Sequence, residues 1–276
     1  MTAVYWPGGE TAALVLAKIA DDAGPWPGIP TVSPRPIRII LTANARQFDS
    51  VAGGRAPSWS GGLAFPASNT IVLRLAGDPR AALSHELAHL ALHAAVPRVP
   101  RWFDEGYAGI AAGEWDRLQM LEVNWALAAG RAPSLETLNA DLVGTAGQAQ
   151  AAYALAVSAV LLLQWLGGER GLGPLIVALR ETGNFDRALR QAYAINESLF
   201  EDLWRRDLRR RYGWLTLAAS LGLFWIVVAG GLAASTVWRR RRNRVRRLAL
   251  DEGWPEPSPD EENVTESPLF RDGPSA

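Results

Sequence analysis

The 276-residue chain carries 28 basic and 28 acidic side chains, so its net charge of zero gives no general bias toward nucleic acid or acidic substrates. It has no cysteine, which excludes disulfide scaffolds, thiolate-bound zinc and thiol catalysis. Hydrophobic residues make up 49%, which suits a globular core together with a membranous segment.

In chain order, Ala12 to Ala20 has the spacing of a short amphipathic helix. Five prolines between Gly24 and Pro36 mark a loop into a first strand at Pro36 to Thr42. Ala52 to Gly62 is rich in Gly, Ser and Pro and reads as a loop or flap, and Gly62 to Pro66 and Thr70 to Leu75 read as short strands. Asp78-Pro79 supplies an N-cap followed by proline at the first helical position; Ala81 to Val96 then has no breaker, and Pro97 closes the helix. Leu83, Leu87, Leu90 and Ala94 form its apolar stripe. Helical spacing follows at Ala112 to Ala129, Ala149 to Leu166, Leu172 to Glu181, Phe185 to Tyr193 and Leu199 to Tyr212, with Gly167-Gly168 and Gly183-Asn184 as stops. The expected organisation is an α/β subdomain over 1–112, a helical subdomain over 113–212, a transmembrane helix over 214–238, and a tail over 239–276. The tail is basic, then acidic and Pro/Ser-rich, which predicts disorder.

The chemistry concentrates in His85-Glu86-Leu87-Ala88-His89, an HExxH pentad holding two of the three histidines. Residues four apart lie one above the other on a helix, so both imidazoles can grip one Zn²⁺, with Glu86 beside it as a base for water. A core helix with merely hydrogen-bonded histidines would leave Glu86 a poorly paired buried charge. A third protein ligand is needed. His93 lies about 12 Å along the axis from His85 at 1.5 Å per residue, beyond the reach of one ion; it is expected to support the site or to meet solvent. The third-histidine position of a metzincin is Ala95, which excludes that class. The remaining candidate is Glu105, in Pro100-Arg101-Trp102-Phe103-Asp104-Glu105-Gly106-Tyr107-Ala108. Asp104 either orients a ligand histidine or places negative charge at a helix N-terminus.

HELAH, followed sixteen positions after its second histidine by the glutamate of W-F-D-E-G-Y-A, resembles the gluzincin peptidases, most closely the bacterial peptidase MA-like group. In that group a second helix opens with W-[LF]-x-E-G-x-A shortly after the HExxH helix. The resemblance extends to Ile37 to Leu41 as a first strand, Thr70 to Leu75 as the strand entering the zinc helix, and Tyr153 to Trp204 as the helical half. It implies an α+β, zincin-like metallopeptidase domain: a small sheet plus the HExxH helix, then a helical half. It further implies zinc held by His85, His89 and Glu105, Glu86 as general base, and a peptide or protein substrate. Gluzincins commonly take an oxyanion donor from the helical half; Tyr153 is the candidate, with Tyr107 second, while an ordinary core role for Tyr153 stays open. A sheet edge at Gly61 to Phe65 is expected to bind substrate backbone by strand addition. The alternative is a non-catalytic zincin-fold binding or scaffold module at the membrane, against which the base Glu86 argues. A third reading, an intramembrane protease, is disfavoured by Arg80 and Glu86 on a helix of about 17 residues.

Trp214 to Trp238 contains no charged residue, exceeds the ~20 residues needed to cross a bilayer, and has tryptophan at both ends. Arg205, Arg206, Arg209, Arg210 and Arg211 precede it; Arg239 to Arg242, Arg244, Arg246 and Arg247 follow. The larger run after the span favours a single pass with a cytoplasmic C-terminus and an extracytoplasmic catalytic domain. Residues 1 to 30 hold neither a positively charged n-region nor an apolar h-region, so an export signal is expected upstream of Met1. The alternative is a cytosolic domain on a tail anchor.

Overall fold

The computed structural model describes residues 2–6, 8–30, 36–56, 60–75, 79–115, 123, 133–212, 225–238 and 240. The chain divides into two compact units, Met1–Ala219 and Ser220–Ala276. The first is a helix-rich α+β unit with one small sheet. Its elements are β1 (Thr2–Val4), α1 (Glu10–Asp21), β2 (Arg38–Thr42), α2 (Ala45–Ala52), β3 (Gly62–Phe65), β4 (Thr70–Arg74), α3 (Pro79–Ala95) and α4 (Arg101–Ala111). Then come α5 (Leu135–Asp141), α6 (Ala146–Leu166), α7 (Gly173–Thr182), α8 (Phe185–Tyr193) and α9 (Glu197–Tyr212).

The sheet runs β1-β2-β4-β3, parallel except for β3, which pairs antiparallel with β4 as Gly62 opposite Leu73 and Phe65 opposite Thr70. Ile71, Val72 and Leu73 are fully buried, as expected of a strand flanked on both sides and covered on both faces. β3 is the edge strand. The strand Thr2–Val4, not anticipated from the sequence, pairs with β2 at the opposite edge. Its three residues are too few to display an alternation.

α3 lies against the sheet through Leu83, Leu87 and Leu90, which pack with Ile39, Leu41, Ile71 and Leu73. Ala94, expected to continue that stripe, is exposed. On its other side α3 contributes Ala88 and Leu92 to a second core, built with α4, α6 and the later helices. The Asp78 cap lies outside the described residues; Pro79 does open the helix.

α6 is apolar nearly all round and is the central helix of that second core, with Ala154 to Val160 buried without interruption. Thr145 and Gln148 close a capping box at its start. By length and composition it is the one helix among the described residues able to cross a membrane, yet 61% of its apolar window is buried inside the fold. α4 meets α6 at Gly106, where an added Cβ would stand 2.4 Å from the Ala156 carbonyl oxygen. Trp102 and Phe103 anchor α4 in an aromatic cluster with Phe185 and Phe200, Trp102 stacking on Phe200 at 5.7 Å.

The helix expected at Ala112 to Ala129 does not start where the spacing placed it. Gly113, at φ 72°, ends α4 in a left-handed turn, and Glu114 and Trp115 are not helical; beyond them only Val123 is described. α5 was not anticipated; Ser134 caps it by accepting from the Thr137 amide. In the second unit, α10 (Trp225–Trp238) is a short apolar helix with its large side chains exposed. The rest of the expected span, 214–224, and the tail from 241 lie outside the described residues.

Candidate metal centre

Two helices bring the pentad and the W-F-D-E-G-Y-A motif together. Along α4, Trp102, Phe103, Tyr107 and Ala108 face the core, which turns Asp104 and Glu105 toward the polar edge of α3. His85 Nε2 lies 3.4 Å and His89 Nε2 3.5 Å from the same oxygen, Glu105 Oε2. One ligand atom from each of His85, His89 and Glu105 lies within 4.8 Å of the others. Atoms ~2.1 Å from a common tetrahedral ion stand roughly 3.4 Å apart, so the spacing fits one zinc-sized ion.

The other ring nitrogens strengthen that fit. His85 Nδ1 is 3.2 Å from both carboxylate oxygens of Glu114. His89 Nδ1 is 2.7 Å from Asp104 Oδ1. A carboxylate accepting from Nδ1–H fixes the tautomer that leaves the Nε2 lone pair for a metal. Glu114 was not singled out in the sequence. A Schellman turn delivers it: the Gly113 amide donates to the Ile110 carbonyl and the Glu114 amide to that of Gly109. The legible signal was Gly113, a glycine at a helix end that folds the next side chain back over the helix.

The electrostatics follow from four carboxylates gathered around two buried imidazoles. Burial alone would pull His85 down, but hydrogen bonds with Glu105 and Glu114 more than reverse this, to about 10. His89 is likewise lowered by burial and raised by more, through Asp104 and Glu105. Burial would raise Glu105, yet its histidine partners hold it down at about 2. Glu86 behaves differently. Burial pushes its carboxyl up, opposed by His89, His85 and a hydrogen bond from the Ala64 backbone. Glu86 lies directly beneath the edge strand: a Cβ on Gly62 would be 2.7 Å from its Cγ and Oε1.

The remaining residues separate cleanly. Tyr153 on α6 faces the centre, its ring centroid 6.3 Å from that of His85 and its hydroxyl hydrogen-bonded to Glu105. Burial raises its phenol pKa, so the hydroxyl stays a donor. Tyr107 points elsewhere: fully buried, it donates to the Pro27 carbonyl at 3.0 Å. His93 stands outside the three-ligand group, its Nε2 2.9 Å from Asp104 Oδ2. Asp104 thus holds two histidines while also placing negative charge in the first turn of α4. The centre opens into a cleft of about 800 Å³, with the β3 edge on one wall and Val143, Gln150 and Tyr153 on the other.

The family described as the peptidase MA superfamily matches residues 11–210, which include every side chain of this centre. No curated protein matches the chain.

Proposed function

The chain belongs to the peptidase MA superfamily, and from that premise we propose that it is a gluzincin-type zinc metallopeptidase held at a membrane. The observation that carries the reading is the convergence of His85 Nε2, His89 Nε2 and Glu105 Oε2 on one point beside Glu86, at the floor of a cleft. Two imidazoles and one carboxylate are a catalytic zinc set with room for a water. Bound there, the ion would polarise the substrate carbonyl and lower the pKa of a water toward ~7.

The protein's own groups then divide the work. Glu86 accepts the proton of the attacking water and returns it to the leaving amine. The Tyr153 hydroxyl donates to the oxygen on which negative charge develops. Glu114 and Asp104 keep the two imidazoles in their metal-accepting tautomer. β3 is a sheet edge along the cleft, so an extended peptide can add there as a further strand, displacing the Ser60 hydroxyl that bonds the Gly62 backbone.

Glu86→Gln tests this: zinc content and thermal stability should stay at wild-type values while peptidase activity is lost. Activity within a few-fold of wild type would reject Glu86 as base and, with it, hydrolysis at this centre. A fully zinc-loaded protein cleaving no peptide in a broad library would favour the binding-module reading instead.

We place the anchor at Trp214 to Trp238, as one pass with the seven arginines of 239–247 in the cytoplasm and the catalytic unit outside. A reporter fused after Ala276 tests the side. Fluorescent protein should be active there and alkaline phosphatase inactive; the opposite pattern makes a cytosolic peptidase the better reading.

A further inference from the structure

The third histidine is not a ligand, yet it is built into the centre. His93 sits one turn beyond His89 on α3, and Asp104 of α4 lies across both. Asp104 Oδ1 is 2.7 Å from His89 Nδ1, and Asp104 Oδ2 is 2.9 Å from His93 Nε2. The two oxygens of one carboxylate are thus divided between two imidazoles on consecutive turns. His85 has no such arrangement: both oxygens of Glu114 face its one nitrogen.

A carboxylate with one free oxygen can rotate about its terminal torsion, which is broad and two-fold. Holding Oδ2 removes that freedom and aims Oδ1 at His89. The side chains of His93 and Asp104 are each about a fifth exposed, so the contact is partly shielded from the water that would otherwise compete for Oδ2.

We propose that His93 is a positioning residue for the metal centre: it locks Asp104, and through Asp104 it sets the orientation of the ligand His89. This rests on the metal-site reading above, and the experiment separates the two. Zinc affinity of the purified full chain is measured by chelator competition, with no activity needed. Asp104→Ala should weaken binding 10- to 100-fold, the usual effect of losing such a partner. His93→Phe, which keeps the ring and removes the donor, should weaken it about 10-fold. His93→Gln, which places an amide donor near the position of Nε2, should recover most of the loss. The Asp104→Ala/His93→Phe double variant should bind no more weakly than Asp104→Ala alone, because the effect of His93 passes through Asp104. A merely structural role would lower thermal stability without this rescue and without this non-additivity. Affinity of His93→Phe within two-fold of wild type, or losses that add fully in the double variant, overturns the proposal. Absence of zinc binding in wild type overturns the metal centre itself.

Discussion

Gly106→Ala is the sharpest probe of how the fold holds the centre. The added Cβ would lie 2.4 Å from the Ala156 carbonyl oxygen, 2.7 Å from its carbon and 2.7 Å from Val160 Cγ2. An ordinary carbon–oxygen contact is near 3.4 Å, so α4 and α6 must part by about 1 Å, and backbone cannot swing aside as a flexible side chain would. Overpacking of this kind costs about 3 kcal/mol, the upper end of the usual range. For a unit of about 200 residues that corresponds to a melting temperature lower by roughly 6–12 °C. The displaced helix carries Glu105 one residue away and Asp104 two away, so zinc affinity should fall at least tenfold along with stability. Gly147→Ala is the control. It sits in the first turn of α6 with nothing within 4 Å of the new Cβ, so it should be neutral or stabilise by up to ~1 kcal/mol. Thermal unfolding and chelator competition on the three proteins decide the matter. A Gly106→Ala protein melting within 2 °C of wild type with unchanged zinc affinity would refute the idea that this close crossing positions the ligand.

Gly62→Ala should separate base from metal: its Cβ meets Cγ and Oε1 of Glu86 at 2.7 Å, so the carboxylate must move. Zinc content should hold while kcat drops about 10²-fold; an unchanged kcat would show that β3 does not position the base. Glu114→Ala should weaken zinc binding 10- to 100-fold, with Glu114→Gln intermediate; equal affinity in all three would make the Glu114–His85 contact incidental. Zinc binding should also release protons. In the empty centre His85 titrates at about 10 and His89 is raised above its ordinary value, so near pH 7 both carry protons that the metal must displace. The sign is fixed: affinity rises with pH, and calorimetry in buffers of different ionisation enthalpy should count about two protons released per ion at pH 7. A count below one would contradict the carboxylate-loaded centre described above.

What could be read in the sequence was what local spacing encodes. His85, Glu86 and His89 share one helix, and Glu105 sits in a motif whose apolar residues orient its polar ones, so their convergence needed only two helices and a turn. β3, β4 and α8 likewise carry complete local signals: edge-strand length, a continuous apolar run, a glycine-asparagine stop. The strand Thr2–Val4 escaped because its only evidence is its partner β2, 36 residues away in the chain register. The start expected at Ala112 misled because apolar periodicity carried on through Gly113, while the positive φ there ends α4.

The carboxylates around the ligands show where such reading stops. Glu114 reaches His85 across 29 residues and Asp104 reaches His89 across 15. Asp104 was legible as one of two alternatives because it adjoins Glu105; Glu114 had no such neighbour. A ligand's residue type and spacing are set by the ion, and so recur as a pattern along the chain. The group that holds a ligand's far nitrogen need only be a carboxylate arriving from some direction, and the fold decides which. Here the direction comes from the left-handed residue Gly113, one position before Glu114. Moving that turn by one residue would rotate the carboxylate away from His85 by about 100°, leaving the His85, His89 and Glu105 set complete in sequence but unsupported in space.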